Sequence, residues 1–178
     1  MKKNIAIVMG GDSSESVISL KSAEVVQKYL DKEKYNTYKV LLNKTKWAVV
    51  ENENEFPIDK NDFSCNINRE KIKFDAVFNA IHGTPGEDGK LQGYFELLGI
   101  PYSSSGVLGS ALTFSKGTCN AVIKAWGLAN TAKNVVVKKG ETVNEQEIIS
   151  NLGLPCFVKP NNGGSSFGAS KVKSVEAL

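Results

Sequence analysis

Short apolar runs and stretches of helical period follow one another along this chain, with glycine- and proline-rich breaks between them. Residues 5–9 are apolar without interruption, which predicts a short strand buried on both faces. Gly10, Gly11, Asp12 and Ser13 then read as a turn, and Ser13 or Ser14 is placed to cap a helix. Ile18, Val25 and Tyr29, with Val26 and Leu30 beside them, recur at helical spacing. Residues 38–42 predict a second strand, and 47–50 a shorter one antiparallel to it. Residues 51–69 are polar and without period, so they read as the least structured part of the chain. Residues 74–79 predict the next parallel strand, 91–98 a helix ended by Gly99, and 100–103 a short strand. This alternation predicts an α/β fold: a doubly wound, mostly parallel sheet with helices on both faces.

Two helical stretches, 107–113 and 116–126, come next, and a domain boundary is expected near Ser115. The expected domains are therefore 1–114 and 115–178. In the second, 132–137 reads as a strand, 144–151 as a helix, 156–159 as a strand, 163–168 as a loop and 169–172 as a strand. Ser174 is placed to cap a helix that has only begun at Leu178. A sheet half made and a helix in its first turn suggest a truncated α+β subdomain.

Composition narrows the class without deciding it. At 178 residues the chain is long enough to bury a real core. Its 41% hydrophobic and 23% charged residues are ordinary for a globular protein. The net charge of +3 is modest and the lysines are scattered, so no nucleic-acid surface is expected. No apolar run approaches the ~18 residues of a membrane span, and the N-terminus does not read as a signal peptide. Cys65, Cys119 and Cys156 are widely spaced and form no zinc or C-x-x-C pattern, which fits a reducing, cytoplasmic compartment.

The chemistry concentrates in three segments. After the strand at 74–79, the run from Ile81 to Gly93 holds four glycines and one proline. That is far more than a surface turn needs, and it reads as a binding loop on a rigid scaffold. His82, the single histidine of the chain, opens it. Glu87 and Asp88 read as holding the loop's backbone and neighbouring cations. Gly89-Lys90 does not make a Walker loop, because the spacing from Gly83 is one residue too long and Leu91 stands where Ser or Thr is needed. No G-x-G-x-x-G occurs either. The second segment, Gly10 to Ser19, puts Glu15 at a strand's carboxyl end. There it can complement a helix dipole or pair with a ligand's ammonium. In the third, Lys159 closes an apolar strand before Gly163, Gly164, Ser165 and Ser166, a loop whose N–H groups can cradle phosphates.

Together the three segments resemble the D-alanine–D-alanine ligases of the ATP-grasp superfamily. Ile81 to Gly93 carries HG-x-x-GEDG-x-x-QG unbroken, Gly10 to Ser19 is similar to GG-x-S-x-E-x-x-[VI]-S, and Val158 to Gly168 to VKP-x-x-x-GSS-x-G. The resemblance covers the whole chain, which corresponds to roughly the first half of such a ligase. It implies a pre-ATP-grasp domain followed by an incomplete ATP-grasp domain, and ATP-dependent joining of two D-alanines through an acyl phosphate. This is a step of peptidoglycan synthesis, hence of cell wall biogenesis and cell shape. It also implies a catalytic and substrate-binding role for Glu15, His82 and Ser165. Glu15 would hold the first D-alanine's ammonium, and Ser165 would link to it through a tyrosine outside this chain. Lys116, Lys159, Gly163, Gly164, Ser165 and Ser166 would bind ATP; Gly117, so early in a helix, departs from the family's surroundings of Lys116. Mg²⁺ would be held by residues beyond Leu178, with no metal ligands in this chain. The full-length protein is expected to be a cytoplasmic homodimer with D-alanine and ATP as partners, and with no nucleic acid or membrane. The chain alone is expected to be inactive. Two rivals stay open: an ATP-grasp ligase of the D-alanine–D-lactate type, and a non-catalytic binding fragment.

Overall fold

The computed structural model describes residues 1–52 and 54–178. The chain divides into two compact units, Met1–Ala111 and Leu112–Leu178. The first runs β1 (Lys3–Gly10), α1 (Ser16–Tyr29), β2 (Tyr35–Leu42), β3 (Trp47–Glu51), β4 (Asn54–Asp59), β5 (Ser64–Ile67), β6 (Glu70–Ile72), β7 (Ala76–Asn79), α2 (Lys90–Leu98) and β8 (Tyr102–Ser103). Its strands form one eight-stranded sheet in the order β6-β5-β4-β3-β2-β1-β7-β8.

The apolar run of β1 is buried on both faces, and its alternation sorts the core. Ala6 and Val8 point into a cluster with Leu91 and Phe95 of α2, whereas Ile7 and Met9 point into another with Ala23 of α1. The two helices therefore cover opposite faces, as a doubly wound sheet requires. β1 pairs in parallel with both β2 and β7, and β7 with β8. The chain leaves β1 toward β2 and leaves β7 toward β8. The strand order thus reverses between β1 and β7, and at such a point the carboxyl ends of two strands open a crevice. Helix α2 ends at Gly99 (φ 67°), whose N–H bonds back to Glu96 and Phe95, a left-handed stop suited to glycine.

Three readings of the sequence need correction. Residues 51–69 are not irregular: they continue the sheet as an antiparallel ladder from β3 through β6. Ile58, Phe63, Cys65 and Ile67 are buried among the polar residues, and Phe63 packs edge-on against Phe95 (5.0 Å between centroids) and at a tilt against Phe74 (5.5 Å). Burying one such aromatic contributes ~1.5–3 kcal/mol, enough to recruit a strand whose composition looks like loop. Asn68 and Arg69, both at positive φ, make the two-residue turn between β5 and β6. The parallel order is thus confined to β2-β1-β7-β8, within a mixed sheet. In α1 the inward stripe is Ser19 and Ala23, with Val26 and Leu30 partly buried beside them, while Ile18, Val25 and Tyr29 face solvent.

The third correction lies in the second unit. Helix α3 (Val107–Phe114) passes into it, followed by α4 (Lys116–Ala125), α5 (Glu145–Leu152), β9 (Cys156–Val158), β10 (Ser170–Val172) and a 3₁₀ turn at Val175–Ala177. Residues 132–137 form no strand, and Val135, Val136 and Val137 are exposed. β-Branched residues favour a strand where a neighbour pairs and packs them; within this unit the described strands, β9 and β10, pair with each other. Asn144 caps α5 by accepting the Glu147 N–H at 3.2 Å.

Candidate functional site

Two loops leave the carboxyl ends of β1 and β7, and serine hydroxyls tie them together. Gly10 (φ 95°) must be glycine: a Cβ there would stand 2.7 Å from the Leu42 carbonyl. The next residues bridge outward, Gly11 N–H to the Leu42 carbonyl (2.8 Å) and Asp12 N–H to the Thr84 carbonyl (3.0 Å). Ser19, fully buried in α1, accepts from Gly10 N–H at 2.9 Å and donates to the Ala80 carbonyl at 2.7 Å. One hydroxyl thus joins the ends of the two strands at the switch point. Ser13 Oγ donates to the His82 carbonyl at 2.8 Å and accepts from the Glu15 N–H at 3.1 Å. Neither Ser13 nor Ser14 is the cap residue of α1: Glu15 immediately precedes the helix, which begins at Ser16.

Glu15 is only 4% exposed. A Cβ on Gly83 would lie 3.4 Å from Glu15 Oε2 and 2.8 Å from Ser13, so the backbone after His82 runs directly past the carboxylate. His82 is half-buried, with its Nε2 3.1 Å from Ser22 Oγ of α1. The structure therefore brings Glu15 and His82 to one crevice, on the α1 side of the sheet.

The rest of the loop after β7 is held from within. Glu87 Oε2 accepts the Gly83 N–H at 2.7 Å. Asp88 accepts from Thr84 Oγ1 at 2.6 Å and is ion-paired with Lys90. Burial pushes the Asp88 carboxyl up, but the Lys90 ammonium and the Thr84 hydroxyl outweigh it and hold it below the usual carboxylate value. The Gly86 carbonyl accepts two side-chain amides, Asn79 Nδ2 and Gln92 Nε2, both at 2.6 Å. A cavity of about 270 Å³ lies beside this loop, walled by Leu42, Trp47, Leu91 and Tyr94 with Asp12, Lys44 and Lys90 at its polar side, and it includes neither Glu15 nor His82. Glu15 and His82 thus stand apart from this cavity, at the carboxyl ends of β1 and β7.

In the second unit, Lys116 and the loop after β9 are joined. Lys116 Nζ donates to the carbonyls of Gly163 (2.5 Å) and Asn161 (3.3 Å), and Asn161 Oδ1 accepts the Gly117 N–H at 2.8 Å. A Cβ on Gly117 would stand 2.5 Å from Val136 Cγ2, which explains a glycine so early in α4. Lys159 follows β9 and is exposed. Gly163, Ser165, Ser166 and Gly168 all have positive φ, and Gly163 and Gly164 are half-buried while the two serines are exposed. Successive residues of this kind turn backbone N–H groups outward, an arrangement suited to oxyanions.

Sequence reasoning did not assign roles to Ser19, Ser22, Asn79 or Gln92. A signal was present for the first two: Glu15, Ser19 and Ser22 fall at helical spacing, so the two serines share a helix face with Glu15.

Known proteins match both units of the chain. The family model for the D-ala D-ala ligase N-terminus matches residues 4–105, and that for the D-ala D-ala ligase C-terminus matches residues 122–178. A D-alanine–D-alanine ligase of Flavobacterium johnsoniae is 58% identical over 177 residues, covering 99% of this chain and 54% of the relative. The crystal structure of D-alanyl-alanine synthetase A from Vibrio cholerae superposes with a TM-score of 0.85 at 30% identity, over 98% of this chain and 53% of that one. A D-alanine–D-alanine ligase from Bacillus anthracis complexed with ATP gives 0.72 at 30% identity, over 97% and 50%. The chain spans about half the length of the curated relatives it matches.

Proposed function

Because the chain belongs to the D-alanine–D-alanine ligase family, we propose that it supplies the first-substrate site and part of the nucleotide site of an enzyme that joins two D-alanines with ATP. The observation that carries this reading is the buried Glu15 carboxylate, in one crevice with His82 at the ends of β1 and β7. A buried carboxylate whose backbone N–H is bonded to Ser13, itself tied to the neighbouring loop, is placed to meet a cation, and the ammonium of an amino acid is one of the right size. The carboxylate of that amino acid then attacks the γ-phosphorus of ATP, and ADP leaves. The amine of the second D-alanine attacks the resulting acyl phosphate, the dipeptide forms and inorganic phosphate departs. Such chemistry depends on positioning and charge stabilisation more than on covalent help from the protein.

Lys116, Lys159 and the Gly163–Gly164–Ser165–Ser166 loop are assigned to the ATP phosphates, with Ser165 also serving the first substrate. Supporting this are the exposed positive-φ backbone of the loop and the ammonium of Lys116 at its base. Mg²⁺ accompanies ATP in this reading. The described residues include no grouping of three or more His, Cys, Asp or Glu side chains that fits a metal, so no step is assigned to one here. Among the described residues no helix is long and apolar enough to cross a membrane, and we assign the enzyme to the cytoplasm and to peptidoglycan precursor synthesis. Assembly as a homodimer is proposed from the solvent-facing Ile18, Val25 and Tyr29 of α1. A domain boundary near Ser115 belongs to the same proposal, and the gap between the two family matches supports it. Product analysis of the full-length ligase tests the reading. Given ATP and D-alanine, it should release phosphate only when D-alanine is present and yield D-alanyl-D-alanine. Phosphate release that needs D-lactate, or none that depends on D-alanine, contradicts it.

A further inference from the structure

His82 is held at two points. Its carbonyl accepts from Ser13 Oγ at 2.8 Å, and its Nε2 lies 3.1 Å from Ser22 Oγ. Ser22 stands on a part of α1 that is itself fixed. Ser19, one turn earlier, is fully buried and bonded to the ends of both β1 and β7, and Ala23 beside it is fully buried as well. A short side chain with a single rotatable bond to its oxygen, on a helix anchored in this way, has little freedom to lose when it meets the imidazole. A neutral imidazole carries one N–H and one lone pair, so a Ser22 hydroxyl held in one role toward Nε2, as donor or as acceptor, leaves Nδ1 with a defined one: an N–H if the hydroxyl donates, a lone pair if it accepts.

We propose that Ser22 is a positioning residue for His82: its hydroxyl fixes the tautomer and the ring orientation of the imidazole, giving Nδ1 a defined protonation. The inference rests on the reading of His82 as part of the D-alanine site. It goes beyond that reading by assigning Ser22, whose side chain reaches the site only through the ring. A serine in a helix can also serve its own backbone alone, and the test separates the two.

His82 is the single histidine of the chain, so the two ring nitrogens give one signal pair in a nitrogen-15 spectrum. The 178-residue chain is compared with Ser22→Ala, and with the isosteric pair Ser22→Thr and Ser22→Val, which differ only in the hydroxyl. Above the histidine titration, the parent and Ser22→Thr should share one dominant tautomer and one Nε2 shift. Ser22→Ala and Ser22→Val should move Nε2 and mix the tautomers, while the backbone amide spectrum stays folded. Ring nitrogens in Ser22→Ala that coincide with those of the parent overturn the proposal. Should the variants not fold, the parent spectrum decides alone: a tautomer ratio equal to that of free histidine overturns it, and a single tautomer supports it. In the full-length ligase, Ser22→Ala should lower kcat/KM for D-alanine about two- to tenfold, the worth of one hydrogen bond, with recovery in Ser22→Thr. If the ring nitrogens respond but His82→Ala leaves D-alanine kinetics unchanged, the clamp stands and the place of His82 in the substrate site falls.

Discussion

The paired loops of the first unit and the glycine–serine loop of the second use the same residue types, yet they are held in different ways. In the first, Ser13 and Ser19 spend their hydroxyls on backbone across the crevice, and Glu15 is buried beneath them. In the second, the fixed points are Asn161 and Lys116 at the base, while Ser165 and Ser166 are exposed at positive φ. The difference fits the ligands proposed for each. A single ammonium is recognised by one carboxylate in one place, so that carboxylate must be fixed beforehand. A triphosphate offers many oxygens, and backbone N–H groups can meet it with less prior constraint.

The largest effect expected from this contrast is at Glu15. In the full-length ligase, Glu15→Gln keeps the shape and removes the charge. Losing a charge-assisted hydrogen bond costs ~1.5–3 kcal/mol, so D-alanine efficiency should fall about ten- to a hundredfold, with the ATP constant nearly unchanged. Steady-state kinetics with each substrate varied in turn checks this; a change confined to ATP would reverse the assignment of the two loops. Next comes the serine contrast, read as stability. Ser19→Ala leaves the Gly10 N–H and the Ala80 carbonyl buried without their partner and should cost ~1–3 kcal/mol. Ser166→Ala, on the exposed loop, should stay within about 0.5 kcal/mol. Equal urea midpoints for the two variants would erase the distinction.

Smaller effects should follow at an exposed lysine and a half-buried aspartate. Lys159→Ala should lower turnover and ATP affinity about tenfold, ~1.4 kcal/mol, because a lysine aimed at phosphates matters more as charge shifts toward the transferred group. Folding stability should be untouched, and a shifted thermal midpoint would mean that Lys159 has a structural role instead. The smallest effect is at Asp88. Its folded pKa lies below the ordinary 3.8, held there by Lys90 and Thr84 despite burial. Its contribution is therefore complete above that ordinary value and is lost as pH falls below about 4, through the folded value. Asp88→Asn should flatten this part of the acid-unfolding curve, and a curve parallel to the parent's would show that the pair contributes nothing.

Much of this was legible in the residues. Strand β1, helix α2 with its Gly99 stop and the two glycine-rich segments stood out because apolar period and backbone-permissive residues are local signals. The ladder from β4 to β6 was not, because Phe63 and Ile58 sit among asparagines, aspartates and Pro57, and only contact with Phe95 and Phe74 reveals their purpose. The outward face of α1 misled in the same way. Ile18, Val25 and Tyr29 have helical spacing, but Ser19 and Ala23 are the residues that allow the close approach to the sheet. The valines at 135–137 show the converse, a strand-like run with no strand to pair it. At the site, Glu15 and His82 could be named from their segments. That serines join them could not, because a hydroxyl's partner is set by tertiary structure.

Glu15 and His82 are proposed to share one D-alanine. A crystal structure of the full-length ligase with D-alanine and ADP bound tests it most directly. The D-alanine ammonium should lie within hydrogen-bonding distance of a Glu15 carboxylate oxygen, about 2.7–3.2 Å, with the His82 ring facing the same molecule. D-Alanine bound with its ammonium away from Glu15, or with His82 turned from the crevice, would contradict it.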